Sequence, residues 1–246
     1  MSDPTPRVDV SVVVPVFDEA ENVAELVGEI DAALKGRAFE MIFVDDRSRD
    51  ATSEALKALK ASYPSLRVLR HASNAGQSRA IRSGVLAARA PVVATLDGDG
   101  QNDPADLPKV IDALTRPDAP ARLAMVSGRR AQRQDSAWKR FGSRVGNGVR
   151  RSLLRDRADD TGCGIKAFRR DAFLRLPYFD HFHRFLPALM LREGFEIAFE
   201  NVNHRPRRHG ASKYSNLGRL AASLSDLLGV LWLTRRARPP GHVEEV

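Results

Sequence analysis

Two carboxylates one residue apart, wrapped in glycines, are the residues in this chain best placed to do chemistry: Asp97-Gly98-Asp99-Gly100-Gln101. Asp97, Asp99 and the Gln101 amide oxygen form a hard oxygen set of the kind that suits Mg²⁺ or Mn²⁺. Gly98 and Gly100 remove side chains and let backbone and ligand come close. Two further strand ends carry polar groups, Pro15-Val16-Phe17-Asp18-Glu19 and Asp45-Asp46. A carboxylate in such a place can accept from a nucleobase N–H or from ribose hydroxyls. Asp45-Asp46 could equally belong to the turn before the next helix, whose N-cap Ser48 or Asp50 would supply. Together the three ends favour a nucleoside-diphosphate pocket. Neither G-x-G-x-x-G nor G-x-x-x-x-G-K-[ST] occurs, which argues against dinucleotide and P-loop sites.

The elements that must position these groups follow from hydrophobic spacing. Short β-branched runs at Val8 to Val16, Met41 to Val44, Leu66 to Leu69 and Val92 to Leu96 read as buried strands. Between them lie helical stripes, the clearest being Val23, Leu26, Val27, Ile30 and Leu34, with Asp18 and Glu21 spaced as a capping box. Strand–helix alternation predicts an α/β fold with a mostly parallel sheet flanked by helices. Beyond it we expect a helix starting at Pro104, a strand at Leu123 to Val126 and a basic helix from Trp138 to Leu154. Strands at Gly164 to Phe168 and Phe195 to Val202 enclose a helix at His183 to Arg192. One catalytic domain, 1–214, is followed by an amphipathic helix and basic tail, 215–246.

The chain has 246 residues, 43% of them hydrophobic, enough for one sizeable core. A single cysteine, Cys163, excludes a disulfide framework and fits a reducing compartment. The first residues lack the apolar core of a secretion signal, and no apolar run is long enough for a confident membrane span. The outlier is charge: +8 in formal terms, crowded into Arg129 to Arg157 and Arg205 to Arg238. Such an excess implies polyanionic company, whether nucleic acid, anionic lipid or phosphorylated substrate. Nucleic acid is disfavoured because aromatics are few and unclustered and no recognition motif is present.

Several of these stretches recur in order in one known family. Val12 to Asn22, Val44-Asp45-Asp46-Arg47-Ser48, Asn74-Ala75-Gly76-Gln77 and Leu96 to Pro104 resemble the inverting family-2 glycosyltransferases. Gly128-Arg129-Arg130, Asp160 to Gly164 and Asn203 to Arg207 leading to Gly210 to Tyr214 are similar to the dolichyl/polyprenyl-phosphate hexosyltransferase branch. The resemblance implies a GT-A-type sheet and a nucleotide-sugar site of Pro15, Phe17, Glu19, Asp45, Asp46, Gly76, Gln77, Asp97, Gly98 and Lys213. It implies Mg²⁺ or Mn²⁺ on Asp97, Asp99 and Gln101, and an acceptor-phosphate site of Arg129, Lys139, Arg140, Ser143 and Arg207. Asp97, Asp99, Arg129 and Arg207 would then carry the catalysis. Phe17 stands where many relatives have Tyr, and Gly98 and Gly100 where Ala and Leu are common.

Chemistry supports a phosphate acceptor. A phosphate monoester, with second pKa near 6, is already largely dianionic at neutral pH and needs positioning cations more than a base. The second half is rich in arginine, whose forked donors match phosphate. Asp159 and Asp160, its candidate bases, read rather as structural or arginine-pairing groups. Leu217, Leu220, Ala221, Leu224, Leu227, Leu228, Leu231 and Trp232 make an amphipathic helix followed by Arg235-Arg236-Ala237-Arg238. It could pack on the domain's own core or lie on anionic lipid. The expectation is therefore transfer of a hexose from a GDP- or UDP-sugar to a polyprenyl phosphate. It would take place at the cytoplasmic face of the inner membrane, with a membrane-protein partner as a further option. Transfer to a sugar hydroxyl is the rival within the same chemistry, and a basic nucleic-acid-binding protein the rival outside it.

Overall fold

The structure is a computed structural model that describes residues 7–130, 153, 154, 156, 158, 160–206 and 216–238, the side chains of the last segment from 224 onward. Seven strands form one sheet in the order β3-β2-β1-β4-β6-β5-β7. They are β1 (Val10–Val16), β2 (Phe39–Asp45), β3 (Leu66–Arg70), β4 (Val92–Thr95), β5 (Leu123–Arg130), β6 (Lys166–Arg169) and β7 (Glu196–Val202). All neighbours run parallel except β6, which lies antiparallel between β4 and β5. The expected α/β sheet is present, and its reversed strand is the one that places the Cys163-Gly164 turn against β4.

Both faces of the central strands are buried, which is why they read as continuous apolar runs rather than alternating ones. Val12, Val14, Met41 and Phe43 belong to one cluster, with α1 (Val23–Ala33) and α4 (Leu107–Thr115) over it. Val13, Ile42 and Val44 point the other way, into a cluster with α3 (Gln77–Ala87) and the Phe168, Phe173 and Phe182 rings. Phe168 stacks on Phe173 at 4.7 Å between centroids, and Phe182 meets Phe173 edge-on. The remaining helices are α2 (Thr52–Leu59), α5 (Arg170–Leu174), α6 (Leu186–Arg192) and α7 (Asn216–Arg236). Strand α-carbon pairing sets Val13 beside Thr95, so the exits of β1 and β4 open side by side where the chain's strand order reverses. Open α/β sheets bind ligands at such a crevice.

Some expectations change. The capping box at Asp18 does not form: α1 begins at Val23 after Asn22, and Asp18 sits in a left-handed turn at φ 52°. Its side chain is committed elsewhere, accepting the Arg49 N–H at 2.7 Å. Pro15 lies within β1 rather than closing it. The helix expected from His183 is a 3₁₀ turn at Phe182–Arg184 followed by α6. The basic helix Trp138 to Leu154 lies outside the described residues except for its last two, which are helical.

Candidate active site at the exits of β1, β2 and β4

Asp97 follows β4 directly, and a web of contacts fixes it. Gln77, the first residue of α3, donates from Nε2 to Asp97 Oδ1 at 2.8 Å. The Asp97 N–H donates to Asn102 Oδ1 at 2.9 Å, folding the acidic loop back on itself. A Cβ on Gly164 would lie 2.4 Å from Asp97 Oδ2 and 2.3 Å from Asn102 Oδ1, so only glycine fits there. Asp99 Oδ1 accepts the Gln101 N–H at 3.2 Å. Gly98 serves packing: its Cβ would sit 2.6 Å from Val16 Cγ1 and 2.9 Å from the Pro15 carbonyl. The close approach foreseen at this glycine is thus to the chain's own β1.

Burial and then the neighbouring Asp99 charge raise the Asp97 carboxyl to about 6, against the pull of Lys166, Arg130 and the Gln77 hydrogen bond. Two carboxylates that repel one another in a desolvated spot are what a divalent cation relieves. Among the described residues no group of three His, Cys, Asp or Glu side chains comes together for a metal. A site with two acids and an amide still fits Mg²⁺ or Mn²⁺ that takes its remaining oxygens from a diphosphate. One consequence is measurable without metal. A carboxylate raised in the folded state lowers stability as pH climbs from its unfolded value, near 4, toward 6, and the loss persists above. In EDTA at pH 8, Asp97→Asn is expected to melt about 2–6 °C higher than wild type, the gap closing near pH 4. A lower melting temperature at pH 8 would refute the repulsion.

The β1 and β2 exits are stitched to each other. Asp18 N–H donates to Ser48 Oγ at 3.0 Å, Glu19 N–H to Thr52 Oγ1 at 2.8 Å and Ala20 N–H to Asp50 Oδ2 at 3.1 Å. Glu19 also accepts from Asn22 Nδ2 at 2.7 Å, and the Arg49 guanidinium lies 5.3 Å from the Phe17 ring centre. Asp45 and Asp46 are both buried. Asp45 Oδ1 accepts the Ser48 N–H at 2.7 Å, and its Oδ2 stands 3.2 Å from Arg70 Nε without hydrogen-bond geometry. Asp46 accepts the N–H groups of Ala75 and Gly76 at 2.8 and 2.7 Å and meets His71 Nδ1 at 2.7 Å. It thereby holds the turn at Gly76, φ 85°, from which Gln77 reaches Asp97. The acidic pair thus builds the rim from behind.

On the other side stands the basic wall. Arg129 and Arg130 end β5. Arg130 grips Asp160 with Nε and Nη2 at 2.6 and 2.7 Å, which bears out the arginine-pairing reading of that acid. The Arg129 guanidinium lies 5.3 Å from the Phe199 ring centre. The segment after β7 joins the acidic loop through an antiparallel bridge between Asn102 and His204. Arg207, Lys213, Lys139, Arg140 and Ser143 lie outside the described residues.

Sequence reading passed over three participants. Gly164 and Asn102 sat inside quoted motifs with no role, and Lys166 had none either. Lys166 is buried, donates to the Cys163 carbonyl and draws the Asp97 carboxyl downward. A lysine inside a strand otherwise rich in apolar residues was the available signal. His183, expected only as the first residue of a helix, is bonded through Nδ1 to Ser78 Oγ at 2.7 Å. Burial, with the charges of Arg184 and Lys166, keeps it neutral.

Residues 11–176 match the family model described as Glycosyl transferase family 2, more than half of the chain. The chain belongs to that family. It is 33% identical over 247 aligned positions to a dodecaprenyl-phosphate galacturonate synthase of Rhizobium johnstonii, covering 98% of this chain and 72% of that one. It is 36% identical over 231 positions to an undecaprenyl-phosphate 4-deoxy-4-formamido-L-arabinose transferase of Pseudomonas aeruginosa, covering 92% of this chain and 66% of that one. These relatives are longer than the sequence described. The fold is shared with glucosyl-3-phosphoglycerate synthase of Mycobacterium tuberculosis, solved with Mn²⁺, UDP and its product. The TM-score is 0.70 at 19% identity, over 95% of this chain and 82% of that one. The family-2 chain described here is thus a glycosyltransferase, with the mostly parallel sheet foreseen from its strand pattern and the GT-A type that the family resemblance implied.

Proposed function

We propose that this glycosyltransferase moves a hexose from a nucleoside-diphosphate sugar to a polyprenyl phosphate, with inversion and with Mg²⁺ or Mn²⁺. The observation that carries the reading is the Asp97–Asp99 pair at the strand-order reversal, its Asp97 carboxyl desolvated and within electrostatic reach of Arg130 at the end of β5. The names of both relatives, each a transferase or synthase for a polyprenyl phosphate, support the acceptor class.

In this reading Asp97, Asp99 and Gln101 hold the cation, which when bound supplies Lewis-acid stabilisation of the departing diphosphate. Gln77 orients Asp97 from α3. Pro15, Phe17 and Glu19 line the nucleoside side, shaped from behind by Asp45, Asp46 and Gly76. Lys213 adds to the donor site. Arg129, with Arg207, Lys139, Arg140 and Ser143, handles the acceptor phosphate, which as a dianion attacks without a protein base. Arg130 is given to Asp160, leaving that carboxylate in an ion pair rather than poised over a hydroxyl.

Helix α7 meets a lipid surface in the same reading. Its Val230 is buried, and Leu227, Leu231 and Leu233 pack on the second core cluster. On another side Leu224, Leu228 and Trp232, at four-residue steps, are 60, 58 and 60% exposed, with Arg235 and Arg236 exposed beyond them. One face therefore packs on the core, and the exposed face is the one to which the lipid alternative is assigned in this reading. Among the described residues no helix is long and apolar enough to cross a membrane. An apolar stripe ending in arginines suits peripheral attachment to anionic headgroups, at the cytoplasmic face.

The deciding experiment combines the protein with UDP- and GDP-hexoses, Mn²⁺ or Mg²⁺ and undecaprenyl phosphate in anionic vesicles, followed by mass analysis of the extracted lipid. A hexose-phosphate lipid formed only with cation is the expected product. Hexose on a soluble glycan instead would move the assignment to a hydroxyl acceptor. The triple variant Leu224→Ser, Leu228→Ser, Trp232→Ser is expected to sediment less with the vesicles at unchanged melting temperature. Equal sedimentation would remove the lipid role of α7.

A further inference from the structure

Arg205 has no part in the reading above, yet it is heavily engaged beside the acidic loop. Its N–H donates to the Gln101 carbonyl at 2.8 Å, beside the Asn102–His204 bridge. Its Nη1 takes both oxygens of Glu29 on α1, at 2.7 and 2.9 Å, while Nη2 takes Asp103 Oδ1 at 2.7 Å. Side chains of the three residues are only 26, 29 and 17% exposed, so these charge-assisted bonds are partly shielded from water. Two residues earlier on the same stretch, the Asn203 N–H donates to Asp106 Oδ2 at 2.6 Å. Thus the segment leaving β7 is sewn to the C-terminal side of the loop that carries Asp99 and Gln101, and that loop is braced against α1.

We propose that Arg205 is a positioning residue that locks the acidic loop to the segment leading to Arg207. Capture of the cation–diphosphate and ordering of residues 203–206, which precede the acceptor-side Arg207 in the chain, then become one event. The proposal rests on the function proposed above and adds a coupling to it. Asp99 and Gln101 can meet a cation only if the loop between Gly98 and Asp103 keeps its shape. Arg205 holds that shape from outside, through the Gln101 carbonyl and the Asp103 carboxylate. The same residue fixes where the chain sets out toward Arg207. Linkage makes the effect mutual: whatever orders the loop orders the segment, and the reverse.

The test compares wild type with Arg205→Gln and Arg205→Lys by calorimetric titration of Mn²⁺ with UDP or GDP, and by amide exchange over residues 203–205. Wild type is expected to bind Mn²⁺ with the nucleotide, and exchange at Asn203 and Arg205 to slow on binding. Arg205→Gln is expected to bind about tenfold more weakly, as loss of a charge-assisted contact implies, and to lose the slowing. Arg205→Lys, which keeps the charge but not the fork, falls between. In turnover the KM values for donor and lipid acceptor rise together in Arg205→Gln. A residue that merely supports the fold would lower melting temperature without this parallel shift. If Arg205→Gln folds poorly, Glu29→Gln probes the same clamp from α1 and is expected to raise both KM values in the same way. Unchanged nucleotide affinity and unchanged exchange in the variants would overturn the coupling and leave the glycosyltransferase reading standing. Absence of any cation-assisted nucleotide binding by wild type would overturn both.

Discussion

Asp99→Ala is expected to abolish cation-dependent transfer, lowering kcat/KM by about a thousandfold or more, roughly 4 kcal/mol of transition-state stabilisation. The fold should survive. Asp99 follows the end of β4 and is not among the buried polar groups that brace the sheet. Its carboxylate accepts the Gln101 N–H at 3.2 Å. Its charge also contributes to raising the Asp97 carboxyl, so its removal relieves a repulsion. Transfer assays with Mn²⁺, paired with melting curves in EDTA, separate the two effects. Turnover within a few-fold of wild type would end the proposal that this pair holds a catalytic cation.

Gly164→Ala is the second large effect, and it comes from a residue with no functional group. The added methyl would need space held by Asp97 Oδ2 and Asn102 Oδ1, both under 2.5 Å from the ideal position. Neither oxygen can swing aside freely. The Asp97 carboxylate is held by Gln77, and Asn102 by the Asp97 N–H. Gly164 cannot retreat either, because its carbonyl accepts from Thr95 Oγ1 at 2.9 Å. Overpacking of this kind costs about 1–3 kcal/mol of stability. A displacement near 1 Å at the acids is expected to cost about a hundredfold in kcat/KM. Circular dichroism should show the secondary structure intact while transfer collapses. An alanine variant with wild-type turnover would show that the acidic loop tolerates movement, and with it that its geometry is not critical.

These two residues also mark how far sequence reasoning reaches. Asp99 was legible because its signal is local: a β-branched run stops at two acids among glycines, and strand ends of parallel sheets are where ligands go. The stripe of α1 was legible for the same reason, since Val23, Leu26, Val27 and Ile30 recur at helical spacing and are all buried. The Asp18–Glu21 capping box failed because a longer-range competitor won: Arg49 and Ser48, some thirty positions on, claim Asp18 and hold it left-handed. Gly164 carried no readable role, because its constraint exists only once β6 runs antiparallel beside β4.

What the amino-acid order settled by itself is the strand–helix alternation, the acidic tip of β4, the basic excess and the family to which the chain belongs. The first three are written in neighbouring residues and their periodicity, and the family in the order of motifs that resemble it. Only the tertiary structure decided which acids hold the chain. Asp46 turned out to fasten Ala75 and Gly76, Asp160 to hold Arg130, and Arg205 to join α1 to the acidic loop across more than a hundred positions. The reason is physical. A charged side chain takes whichever partner the packed backbone brings within about 3 Å, and sequence spacing does not encode that proximity when the partners lie on different strands and helices.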